Sequence, residues 1–100
     1  MLNPNEIVRP DNTFWSDFTI ADHFGPAAVK DTFRRAFKEW KSDYRMLTEL
    51  IIVLNHKIWF WYGKDDAIAL EYDRLWRRAD KYALENLSNS NLEYYLAVTD

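Results

Sequence analysis

Between positions 29 and 61 the apolar residues recur at one spacing: Val29, Phe33, Ala36, Phe37, Trp40 and Tyr44, then Leu47, Leu50, Ile51, Leu54, Ile58 and Trp61. At about 100° per residue they all fall on one helical face. A single helix over 26–62 would run roughly 55 Å at about 1.5 Å per residue, too long for so small a compact domain. The pattern therefore predicts a break near Ser42, with Ser42 or Asp43 capping a third helix.

The flanking segments extend the same reading. Ser16 is a candidate N-cap for a short first helix over 16–24, and Gly25 suits the left-handed position after a helix end. Pro26 then opens the second helix, where its missing N–H costs nothing. Gly63 ends the third helix, and Asp65 or Asp66 caps a fourth with Ile68, Tyr72, Leu75, Trp76, Ala79, Tyr82 and Ala83 on its inner face. Residues 88–91 read as a linker, and Ser90 with Glu93 as a capping box for a short last helix over 94–97. Residues 1–13, with Pro4, Pro10 and no period, read as an extended arm pinned by Ile7 and Val8. The expected fold is all-α: a compact bundle of four to five helices over 14–100, with helix 43–62 central and a short extended N-terminal arm.

Composition agrees. Two glycines and three prolines are too few for the tight hairpins of an all-β fold. Five Trp, six Tyr and six Phe supply ample burial for one domain without staples. With no cysteine, disulfides, Cys-rich zinc sites and thiol nucleophiles are excluded. The start lacks a basic stretch followed by an apolar core, and the longest apolar run, 50–54, is far shorter than a membrane span. A cytoplasmic location with no membrane contact is the expectation. The net charge of −3 suits neither a DNA mimic nor a general nucleic-acid binder.

Chemistry is hard to find. His23 and His56 have no second ligand at i+3 or i+4, so no metal site is expected, and His56 reads as a structural histidine before it reads as a switch. Pro10-Asp11 and Glu39-Trp40-Lys41 spell the skeleton of a PD-(D/E)xK nuclease. That site needs Glu and Lys on one side of a strand, whereas on a helix they diverge by about 200°. No serine sits in a nucleophile elbow and no glycine-rich loop could cradle a phosphate, so neither a catalytic residue nor a cofactor is expected.

Three surface features remain. The third helix is apolar on both sides, because Ile52, Val53, Trp59 and Phe60 flank His56 opposite the main face. Burial at the bundle centre is the expectation, with the first helix, and the aromatics Phe14, Trp15 and Phe18 near it, as cover; the rival reading is an interface. Lys30, Arg34, Lys38, Lys41 and Arg45 form a basic stripe along the second helix, and Arg74, Arg77, Arg78 and Lys81 a second patch on the fourth. Each is either a solvated face or a contact for an acidic protein or a phosphate backbone. Exposed aromatics for base stacking do not interleave with either.

The segments Phe14-Trp15-Ser16-Asp17-Phe18-Thr19-Ile20-Ala21-Asp22, Asp31-Thr32-Phe33, Arg35-Ala36-Phe37-Lys38-Glu39-Trp40-Lys41, Leu47-Thr48-Glu49-Leu50, Val53-Leu54-Asn55-His56-Lys57-Ile58-Trp59 and the closing Thr99-Asp100 carry a resemblance. From about residue 14 onward the chain resembles small helical proteins of phages and integrated mobile elements of Gram-positive bacteria. That group supplies no residue roles to carry over. The resemblance implies a non-enzymatic protein-binding module that inhibits a host defence machine such as a CRISPR nuclease. The expected partner is a host protein or protein–RNA complex rather than free duplex DNA, and the expected state is monomer or homodimer. The alternatives are a nucleic-acid-binding accessory protein using the basic flanks, or a small self-associating structural protein. The residues expected to meet a partner are the two basic patches with Trp59 and Phe60.

Overall fold

A computed structural model describes residues 13–99, and among them the chain forms five helices: α1 Thr13–Asp22, α2 Pro26–Trp40, α3 Tyr44–Trp61, α4 Asp66–Asn86 and α5 Asn89–Thr99. The fold is the all-α bundle the periodicity predicts. Helix α3 is central: α4 is its main partner, and α1, α2 and α5 pack against it as well. The Cα radius of gyration is 12.9 Å.

The break between α2 and α3 falls where expected. The Asp43 carboxylate accepts from the backbone N–H groups of Arg45 and Met46 at 3.1 and 3.2 Å, satisfying two donors that a helix start leaves orphaned. Asp65 does the same for Ile68 at 3.2 Å. Gly25 at φ 103° and Gly63 at φ 81° take the left-handed turns that reverse the chain before α2 and α4. Pro26 is the first residue of α2.

Two expected helix starts move, the first helix ends at Asp22 and not at Phe24, and one residue changes helix. Helix α1 starts at Thr13, so Ser16 lies inside it and does not cap it. The reason is burial, because Phe14, Phe18 and Ala21 must share one face and only a helix running upstream through Phe14 aligns them. Thr13, expected in the arm, is thus helical; residues 1–12, with Ile7, Val8 and Pro10-Asp11, lie outside the described residues. Helix α5 starts at Asn89, and the residue at its entrance is Ser88, whose Oγ accepts from Asn91 N–H at 3.4 Å and whose carbonyl accepts from Leu92 N–H at 2.7 Å. The Ser90–Glu93 box falls two residues too late, because Ser88 takes the capping position in its stead. Arg45, expected on the second helix, belongs to the first turn of α3.

The main face becomes the core. Val29, Phe33, Phe37, Leu47, Leu50, Ile51 and Leu54 are buried, and α4 contributes Ile68, Tyr72, Leu75, Ala79 and Ala83. Phe33 and Phe37 stack at 5.1 Å, with Tyr82 edge-on to Phe37 at 5.2 Å, and this ring group joins α2 to α4.

Candidate functional site: an aromatic end and a basic seam

The second apolar face of α3 is split by depth. Val53 is fully buried and Ile52 half-buried, but Trp59 is 67% exposed, Phe60 46% and Tyr62 69%. Core burial of Trp59 and Phe60, the sequence expectation, is thereby corrected. The cause is the position of α1, which covers the Lys57 side of α3 and leaves the side bearing Trp59 open. Trp15 from α1 reaches only as far as the exposed His56, ring to ring at 6.5 Å. Trp59 and Tyr62 lie ring to ring at 5.9 Å as one exposed pair, while Phe60 meets Trp61 edge-on at 5.1 Å and lies 5.6 Å from Lys57 Nζ, at the margin of the side that α1 covers.

Behind it lies a polar network that sequence reasoning missed. Lys57 is 2% exposed, and its Nζ donates to Asp22 Oδ2 at 2.8 Å and to Thr19 Oγ1 at 3.0 Å. The Trp15 ring lies 4.4 Å from the ammonium. Asp22 Oδ2 also accepts from Trp61 Nε1 at 3.0 Å, and Oδ1 accepts from the Tyr72 hydroxyl. Burial, then the bond to Asp22, drives the Tyr72 hydroxyl far above the usual tyrosine range, so it stays a donor. Every charge here is met, and the network ties α1, α3 and α4 together. The signal was in the sequence: Asp22 stands at i+4 from Phe18, and Lys57 stands between Leu54 and Trp61 on an apolar stripe, where an ionisable group survives only if paired.

The two basic patches are brought side by side. Lys30, Arg34 and Lys38 are exposed along α2 and Lys41 caps its end. From α4, the Arg78 guanidinium lies 5.7 and 5.6 Å from the Phe33 and Phe37 rings, while Lys41 Nζ lies 5.7 Å from both Phe37 and Tyr82. The α2–α4 seam therefore carries cations from both helices over one ring group. Among the described residues no carboxylate pairs with Lys30, Arg34, Lys38, Lys41, Arg78 or Lys81. Arg74 and Arg77 are engaged with Glu71 at 3.6 Å and Asp73 at 2.8 Å. Arg45 leaves the stripe, its guanidinium resting 5.5 and 5.1 Å from the Tyr44 and Tyr94 rings.

The histidines are apart. His23 borders a cavity of about 360 Å³ between α1 and α3, and His56 borders a crevice of about 210 Å³ with Asn55, Asp80 and Tyr95. Tyr95 donates its hydroxyl to Asp80, and burial holds that hydroxyl well above the ordinary tyrosine range. Among the described residues no three carboxylates and imidazoles converge as a metal site. No helix is long and apolar enough to cross a membrane, again among the described residues. Glu39-Trp40-Lys41 ends α2 as a helical segment, not a strand. Set beside protein-family models, curated proteins and solved structures, the chain matches none of them.

Proposed function

We propose that this chain is a non-enzymatic protein-binding module whose docking face is the aromatic end of α3. The observation that carries the reading is the exposure of Trp59, Phe60 and Tyr62 together at one helix end, whereas the other described aromatics, Phe24 apart, are buried or half-buried. Trp and Tyr dominate binding energy where they reach a partner's pocket, since they bury much area for little lost side-chain freedom. The α2–α4 seam adds a field that steers an acidic partner surface toward the molecule. Following the resemblance to proteins of phages and mobile elements, the proposed partner is a host defence machine such as a CRISPR nuclease, bound as protein or protein–RNA complex and inhibited by occlusion.

The test is affinity capture from a Gram-positive host lysate with three baits: the unchanged chain, Trp59→Ser with Tyr62→Ser, and Arg34→Glu with Lys38→Glu. A specific host protein held by the first and lost from the second, with the melting curve of the second unchanged, supports the reading. Equal retention by the first two baits contradicts it. The basic seam favours a nucleic-acid binder as the second reading, but its rings lie beneath Arg78 and Lys41 and are not open for base stacking. Micromolar binding of random duplex DNA with a steep salt slope, abolished by the Arg34 and Lys38 reversal, would favour that second reading.

A further inference from the structure

On the flank of α2 away from the basic seam, α1 and α2 enclose a groove of about 500 Å³. Its walls are apolar, with Ile20 60% exposed and Phe24 78% exposed on one side and Ala28, Ala36 and Trp40 on the other. Alanines at i and i+8 of α2, with Thr32 between them, leave depth for large side chains from outside. The rim is acidic: Asp17 comes from α1, and Asp31 and Glu39 from α2. The rim's Arg35 engages Asp31 at 3.5 Å, so Asp17 and Glu39 are left as exposed negative charge on the two sides. Helix α2 thus has cations along one flank and a carboxylate-rimmed apolar trough along the other.

We propose that this groove docks a basic amphipathic helix of a partner protein. The apolar face of such a helix fills the trough over Ala28 and Ala36 against Ile20 and Phe24, and its lysines or arginines meet Asp17 and Glu39, which is the helix-in-groove mode of recognition. The surface is separate from the aromatic end of α3 and does not depend on it. Complementary charge selects the occupant, since an acidic helix would meet like charge on both rims.

The experiment uses the full chain and a fluorescein-labelled leucine–lysine amphipathic helix of roughly four turns, read by fluorescence anisotropy. The matching leucine–glutamate helix is the control peptide. Saturable binding of the basic helix alone is expected, with affinity falling about tenfold or more in Phe24→Ser and in Asp17→Lys with Glu39→Lys. Reversing two exposed acids elsewhere, Glu85→Lys with Glu93→Lys, gives the same net charge and should leave affinity within about twofold; so should Trp59→Ser. Phe24 and Glu39 are exposed, so these variants keep the fold, and unchanged circular dichroism verifies it. Equal weakening by both charge pairs would show diffuse attraction only and overturn the proposal. No binding of the basic helix would overturn it too, as would concentration-dependent self-association of the unchanged chain that Glu39→Lys abolishes, which gives the groove to a second copy.

Discussion

Lys57 and Asp22 set the terms at the residue scale. A buried ion pair adds little net stability over an apolar replacement, yet removing one member strands the other. Asp22→Leu leaves the Lys57 ammonium with Thr19 and the rings, whereas Lys57→Met leaves Asp22 with donors from Trp61 and Tyr72. Urea denaturation should therefore show Asp22→Leu costing about 3–5 kcal/mol, Lys57→Met less, and the double variant less than the sum. Tyr72 and Tyr95 make a pH prediction. Both keep their protons in the fold above the ordinary tyrosine value while the unfolded chain gives them up, so stability is full below about pH 10 and falls above it. The decline should approach 1.4 kcal/mol per pH unit for each, about half as steep overall in Tyr72→Phe when each variant is referred to its own stability at pH 8. A stability that holds level or rises above about pH 10 would contradict the sign. These two groups were visible in the sequence only as polar residues on apolar stripes. The partner of Tyr72 lies 50 positions away and that of Tyr95 15, and Lys57 stands 35 from Asp22, separations that no local pattern reports.

At the scale of the element, caps and periodicity carried most of the fold. Asp43 and Asp65 cap as their positions suggest, and Asp43→Ala should cost about 0.5–2 kcal/mol, read as a lower thermal midpoint with unchanged helix content. Leu54→Ala, at the centre of α3 where it is fully buried, should cost about 2–5 kcal/mol. The misplaced starts of α1 and α5 have different origins. Ser16 has good local cap chemistry, but burial of Phe14 adds a turn upstream and outweighs one cap bond, whereas at α5 Ser88 offers the same cap chemistry two residues ahead of Ser90. The basic stripe was legible as a stripe, while its junction with Arg78 depends on how α2 meets α4. Reversing Arg34 and Lys38 together should slow association with the partner more than it speeds dissociation, measurable by surface plasmon resonance at two salt concentrations.

For the whole molecule, the faces left open are what a binding function needs: an aromatic end on α3, a cationic seam between α2 and α4, and a carboxylate-rimmed trough between α1 and α2. The apolar character of the second face of α3 was legible, but which half α1 covers was not, because α1 packs chiefly on α2 and meets α3 through the long-range Asp22–Lys57 pair and Trp15 over that ammonium. The central claim is that Trp59 stands outside the core as a docking group, and the thermal midpoint of Trp59→Glu beside the unchanged chain tests it most directly. An exposed site absorbs this change within about 0.5 kcal/mol, so the two midpoints should agree to within a few degrees. A fall of more than about 10 °C, or loss of the helical spectrum, would show Trp59 to be core and contradict the account.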